Sequence, residues 1–178
     1  MEGLTYSLAR DHDVILRVVD RLETRVAEWR RTNNIERDSL EKFIEFAKLF
    51  TDRCHHGKEE RCLFPCLERR GIPREGGPIG VMLYEHEIGR QLIGRLEKAA
   101  EMYFAEGRGL DEVLNICEDY INLMRQHIAK ENDILFPMGE KVADEGDRER
   151  TNSCYEDVEL RELGEREHHR LEELADEI

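Results

Sequence analysis

The sequence has little proline, 4 residues, and few aromatics, 7% with a single tryptophan. It is also poor in basic charge: 27 Lys and Arg stand against 41 Asp and Glu, a formal net charge of −14. Such an acid excess repels phosphate, which argues against a nucleic-acid binder or a protein docking on anionic membrane. No apolar run approaches the roughly 18 residues a transmembrane helix needs. The first seven residues have neither a basic n-region nor an apolar h-region, so no secretory signal is expected there. No stretch sustains period-two alternation, so no strands are expected. What is present, 38% charged and 39% hydrophobic residues in 178, fits one helical domain with charged outer faces. The five cysteines, at 54, 62, 66, 117 and 154, are odd in number. With no export signal they are expected as reduced thiols in a cytoplasmic protein. Cys54, Cys62 and Cys66 fall roughly along one side of a helix and read as buried, inert thiols, with a redox switch as the alternative.

The apolar positions repeat with helical period. Leu8, His12, Ile15, Val19, Leu22, Val26 and Trp29 step by 4 and 3 along one seam, which Thr32-Asn33-Asn34 breaks. A second helix is expected from about Asp38 to Arg70, through Leu40, Phe43, Ala47, Phe50 and Cys54, with Asp38 or Ser39 as its N-cap. Gly71 to Pro78 is the clearest loop. A third seam runs Ile79, Met82, His86, Gly89, Ile93, Leu96, Ala100 and Tyr103, ended by Gly107-Arg108-Gly109. A fourth runs Val113, Cys117, Tyr120, Met124, His127, Glu131, Ile134 and Met138. Residues 144–149 read as a linker, and 155–178 as a last, highly charged helix. The expected fold is therefore all-α: an antiparallel up-down-up-down four-helix bundle over residues 1–144. Residues 145–178 are expected as a linker and a short fifth helix packed on or beside it.

Within this pattern lies a repeat. His55, Lys58, Glu59, Leu63, Phe64, Pro65 and Glu68 recur as His127, Lys130, Glu131, Leu135, Phe136, Pro137 and Glu140, at a constant offset of 72 residues. The first and third helices echo it with Asp11-His12-Asp13 and Glu85-His86-Glu87, offset by 74. Helices 1–2 and 3–4 thus read as two copies of one hairpin, and a two-fold arrangement would bring both motifs to one place in the core.

His55 and Glu59, like His127 and Glu131, are four apart and share one helix face. In the fourth helix that face is the apolar seam, and His12 and His86 likewise replace hydrophobes in theirs. A carboxylate in a bundle core is costly unless it is paired or bound to metal. Four core histidines and two core carboxylates in one layer are most economically explained by a metal site. Imidazole with carboxylate suits iron, zinc or manganese, and two carboxylates able to bridge suit a pair of ions.

Neighbouring residues are given plainer readings. Lys58 and Lys130 point off the stripe and read as surface. Pro65 and Pro137 should bend or end their helices. Leu63, Phe64, Leu135 and Phe136 read as core or end-packing. Asp11, Asp13, Glu85 and Glu87 flank the single histidines and are placed to hold imidazole nitrogens, though solvated acidic faces are the plainer reading. Arg90, one turn past His86, is within reach of the pocket or of a carboxylate beside it, though an outward salt bridge is the plainer reading. His56 and Glu60 repeat the four-spacing about 100° around the helix and lack partners in the fourth helix, so loss of His56 is not expected to lose metal. His168 and His169, with Glu172 and Glu173, read as a solvated helix, with extra metal binding there as the alternative.

The pattern His-x-x-x-Glu-x-x-x-Leu-Phe-Pro, present twice and joined by two single histidines, resembles the hemerythrin-like, or HHE, cation-binding domains over about residues 8–140. The resemblance implies a four-helix bundle and two non-haem irons, oxo- or hydroxo-bridged, ligated by His12, His55, His86 and His127, with Glu59 and Glu131 bridging. The sequence departs from the oxygen carriers, which add a histidine four residues after that of the third helix, where Arg90 stands here. The carriers also place an aspartate five after that of the fourth helix, where this chain has Asn132. It is more similar to the di-iron proteins of nitric oxide response and iron–sulfur cluster repair, although these 178 residues hold no counterpart of their Cys-containing N-terminal domain. Two six-coordinate irons with these ligands and one bridge keep two open positions. The resemblance therefore implies reaction with dioxygen, hydrogen peroxide or nitric oxide in redox or nitrosative stress, rather than reversible carriage. Alternatives are a non-catalytic iron or gas sensor, or an iron-handling protein. The expected partners are these small molecules and, for turnover, a redox protein.

Overall fold

The computed structural model describes residues 3–178. Helix α1 spans Tyr6–Thr32 and buries Leu8, His12, Ile15, Val19, Leu22, Val26 and Trp29, the expected seam. It ends where Asn33 adopts a left-handed conformation, φ 53°, which few residues other than glycine and asparagine accept readily.

The second rod of the bundle is composite. It runs through α2 (Arg37–Phe46), a π-helical stretch π1 (Ala47–His56), a second, π2 (Glu59–Leu63), and α3 (Phe64–Arg69). Its start falls slightly before the expected cap, at Glu36, whose carboxylate accepts from the Ser39 hydroxyl. Helix α4 (Pro78–Glu106) follows the 70–77 loop and stops at Gly107, φ 67°, where a side chain would be strained. The fourth rod is α5 (Leu110–Lys130), π3 (Glu131–Leu135) and α6 (Phe136–Val142).

The prolines do not end their helices. Pro65 and Pro137 each sit in the first turn of an α-helix directly after a π turn, π2 and π3. A proline offers no N–H to the preceding turn and crowds the carbonyl four residues back. The wider π turn before it changes which carbonyls need a donor, so the rod continues. The two π turns are 72 residues apart, like the motif that contains them.

Sequential rods joined by short loops pack antiparallel, which makes the structure an all-helical four-helix bundle. No strand occurs among the described residues. None of their helices is long and apolar enough to cross a membrane. The buried core falls into two apolar clusters. One holds Ile15, Leu22, Phe43, Phe50, Leu96, Val113 and Met124; the other holds Leu4, Leu8, Leu63, Phe64, Met82, Leu135 and Phe136. The candidate polar layer lies between them. Each fully buried Leu or Phe side chain contributes about 1.5–3 kcal/mol, so the layer is clamped from both ends.

The C-terminal region differs from expectation. Residues 144–149 are not a linker: helix α7 (Glu145–Glu162) begins there, capped by Asp144 and Asp147, each accepting from the other's backbone N–H. Arg70 pairs with both carboxylates. A turn at Gly164 separates α7 from α8 (Glu165–Leu174). Helix α7 buries Tyr155, whose hydroxyl donates to the Leu4 carbonyl, and packs Val158 against Gly57. Leu171, Leu174, Ala175 and Ile178 join the larger apolar cluster.

Among the cysteines, Cys54, Cys66 and Cys117 are buried and free. The expectation of reduced thiols throughout fails for the other two. Cys62 and Cys154 form a disulfide between π2 and α7, because the packing of α7 brings their Cα atoms to 5.8 Å.

Candidate metal centre

His12, His55, His86 and His127, one from each rod, meet in the layer between the two apolar clusters, each about 1–2% exposed. Glu59 and Glu131 lie among them and are fully buried. The Nε2 atoms of His12 and His55 are 3.1 Å apart. Glu59 stands between two groups: its Oε1 is 3.5 Å from His55 Nε2, and its Oε2 is 3.2 Å from His86 Nε2. Glu131 Oε2 lies 3.1 Å from His12 Nε2 and 3.3 Å from His127 Nε2.

Several of these contacts are close without being hydrogen bonds. Both oxygens of Glu59, both of Glu131, and Nε2 of His86 and His127 are buried with no hydrogen-bond partner. Leaving charged oxygens unsatisfied in a dry core costs several kcal/mol per ion unless something else coordinates them. The residues fit a cation site. One donor atom from each of His12, His55, Glu59 and Glu131 lies within 4.8 Å of the others, as does one from each of His56, Glu59, His86 and His127. Glu59 belongs to both groups.

The outward face of each ring is held. His55 Nδ1 donates to Asp11 Oδ2 at 3.0 Å, and His127 Nδ1 to Glu85 Oε2 at 3.0 Å. His12 Nδ1 donates to Asn132 Oδ1, and His86 Nδ1 to Glu60 Oε1, both at 2.8 Å. Because a carboxylate or amide oxygen only accepts, Nδ1 carries the proton and Nε2 is left to face the layer. Asp11 and Glu85 are therefore not solvated faces: each holds the histidine of the neighbouring rod rather than the one beside it in sequence. Lys58 is not at the surface. It is fully buried, 2.7 Å from Asp11 Oδ2, 2.6 Å from Glu159 Oε1 and 3.2 Å from the Ser7 hydroxyl, because α7 covers it. Lys130 pairs with Glu85 in the same way but stays 38% exposed. In both motifs, then, the lysine pins the acid that orients the histidine three residues earlier.

Burial pushes Glu59 up, but His55 and His86 outweigh it and hold its carboxyl well below the usual carboxylate range. Burial pushes His86 down, while the adjacent Glu59 carboxylate and the hydrogen bond to Glu60 bring it up to about 9. Protons and a metal ion thus compete for the same Nε2 lone pairs.

Two residues differ from their sequence reading. His56, expected off the site, is buried with its Nε2 unpartnered, and its ring stacks on His86 at 3.8 Å. It lies at the end of π1, and the 100° step of a regular α-helix does not apply through a π-helical stretch. The unbroken run of ten π-helical residues leaves no trace in the apolar pattern, so only the His55-His56 pair hinted at it. Arg90 is not a plain outward salt bridge: it donates to Asp52 Oδ1 at 2.8 Å and to Glu60 Oε1 at 2.7 Å, the acids that hold His56 and His86. Beside it, a cavity of about 160 Å³ is lined by His56, Gly89, Arg90, Ile93 and Tyr120. His169 is exposed as expected, whereas His168 turns inward toward Glu159 and Cys54. The Lys58 ammonium already occupies Glu159, which disfavours a cation in that smaller group.

A bundle with such a layer defines a class, the helical proteins that carry buried imidazole–carboxylate cation sites. The chain belongs to the hemerythrin HHE cation-binding domain family, which matches residues 3–139. It is 36% identical over 86 residues to the iron–sulfur cluster repair protein DnrN of Neisseria gonorrhoeae, covering 46% of this chain and 54% of that one. It is 33% identical over 93 residues to the iron–sulfur cluster repair protein YtfE of Edwardsiella ictaluri, covering 47% and 39%. The chain thus matches about half or less of the length of these curated relatives. No solved structure matches it.

Proposed function

We propose that the protein is a non-haem di-iron protein that reacts with small diatomic or peroxide ligands, namely dioxygen, hydrogen peroxide or nitric oxide, in redox or nitrosative stress. The observation that carries this is Glu59, a fully buried carboxylate whose two oxygens face two different histidine groups and have no hydrogen-bond partner. His12 and His55 would hold one ion, His86 and His127 the other, and Glu59 and Glu131 would serve both. Bound there, two irons supply redox-active Lewis-acid sites for a small ligand.

The chain's own residues prepare the place. Asp11, Asn132, Glu60 and Glu85 fix each imidazole with its Nε2 inward. Leu8, Ile15, Phe64, Met82, Met124 and Phe136 exclude bulk water above and below the layer, with Phe136 stacked on His12. The matched relatives are named for iron–sulfur cluster repair, and that name supports stress handling as the setting. An anaerobic optical titration of the reduced, iron-loaded protein with dioxygen, peroxide and nitric oxide tests the reading. A stoichiometric spectral change with at least one of them is expected. Iron retained without any response would sink the reading in favour of iron handling.

A further inference from the structure

Five histidines, not four, share one construction at the centre. His12, His55, His86 and His127 each give Nδ1 to a side-chain acceptor and turn Nε2 inward. His56 does the same. Its Nδ1 donates to Asp52 Oδ1 at 3.3 Å, and Asp52 is itself anchored by Arg90 at 2.8 Å. Its Nε2 is buried and has no partner. The residue is only 4% exposed, and one of its ring nitrogens lies within 4.8 Å of donor atoms of Glu59, His86 and His127.

The internal repeat argues against a role in packing alone. Nearly every part of the centre has a counterpart in the other hairpin: His12 and His86, His55 and His127, Glu59 and Glu131, Asp11 and Glu85, Lys58 and Lys130. The cluster around His56 has none. At the 72-residue offset, His56 corresponds to Ile128 and Asp52 to Met124; at the 74-residue offset, Arg90 corresponds to Leu16. Ile128 and Met124 are buried apolar residues, so the fold accepts hydrophobes at these positions. An imidazole with an unpaired ring nitrogen carries a desolvation penalty that isoleucine avoids, and ligation would remove it.

We propose that His56 is a fifth imidazole donor, joining His86, His127 and Glu59 on one ion. The inference rests on the di-iron reading above. It makes the two ions unequal, with three imidazoles on one side and two, His12 and His55, on the other. With His56 added, the His86–His127 ion would be the more fully ligated of the two, and a small ligand would attach on the His12–His55 side.

The test uses the full chain loaded anaerobically with ⁵⁷Fe, wild type and His56→Ala. Mössbauer spectra of the oxidised wild type should show two quadrupole doublets of equal area; a single doublet would overturn the proposal. Chelator competition on His56→Ala should show one of the two ions bound at least about tenfold more weakly, with helical circular dichroism retained. Free imidazole, admitted through the adjoining cavity, should restore that ion. A folded variant that holds both ions at wild-type affinity would overturn the proposal, as would weakening that imidazole leaves uncorrected, since that is the mark of a packing role. If the variant does not fold, the wild-type doublets decide. Wild-type protein that fails to hold two irons removes the di-iron reading itself, a result distinct from any of these.

Discussion

The two lysines of the repeat make an internal experiment. Lys58 and Lys130 are equivalent in sequence, and each pins an acid that orients a histidine, but they differ in burial. Lys58 is fully buried and held by Asp11, Glu159 and Ser7, whereas Lys130 is 38% exposed. Lys58→Met keeps the aliphatic stem and removes the charge. It leaves Asp11, itself 6% exposed, with His55 as its remaining partner. Removing one member of a buried pair costs about 3–5 kcal/mol. For a domain of this size each kcal/mol shifts the melting point by about 2–4 °C, so a fall of about 6–20 °C is expected. Lys130→Met loses a partly solvated pair and should cost no more than about 1 kcal/mol. Thermal unfolding of the metal-free proteins, followed by circular dichroism, reads both. The double variant Lys58→Met, Asp11→Asn should recover most of the loss, because the uncompensated carboxylate is gone. Equal and small effects from the two lysine variants would refute the reasoning, showing that burial of Lys58 does not set the energetics.

Cys62→Ser opens a cross-link between residues 92 apart in sequence. It should cost about 2–4 kcal/mol, read as a lower melting point that matches the wild type in reductant, with metal content unchanged. A pH effect is expected at the start of α7. Burial raises the Asp147 carboxyl, but the Arg70 guanidinium and the Asp144 backbone hydrogen bond outweigh it, so the group sits below its ordinary value. A depressed carboxylate adds stability that is fully present above its unfolded pKa, near 3.9, and is lost as pH falls through the folded value. Acid unfolding of Asp147→Asn should therefore be shallower than wild type below about pH 4, and identical slopes would contradict the ion pairing.

Much of the bundle and of its centre is legible in the residues because both are written in local periods. The four seams follow the helical repeat, and the spacing of His55 to Glu59 and His127 to Glu131 places each pair on the inner face. What is not legible depends on departures from that period or on distant contacts. His56 and Glu60 were turned away by an angle that holds only in a regular α-helix, while π1 and π2 run through this stretch. Lys58 appears exposed until α7, a hundred residues on, covers it with Glu159. The first turns of α7 carry no apolar stripe and include Gly146, so they resemble a linker. The signal that could have revealed them is the reciprocal Asp144 and Asp147 cap. The Cys62–Cys154 bond likewise exists only once α7 lies against π2.

The central claim is that six buried side chains, His12, His55, Glu59, His86, His127 and Glu131, hold a pair of ions at one site. Metal analysis of protein prepared anaerobically and loaded with ferrous iron tests this most directly, run beside Glu59→Ala, which removes the carboxylate facing both histidine groups. About two irons per chain are predicted for the wild type, with substantial loss of iron in Glu59→Ala at retained helix content. A wild-type stoichiometry of one, persistent zinc in place of iron, or an unchanged iron content in Glu59→Ala would contradict the account.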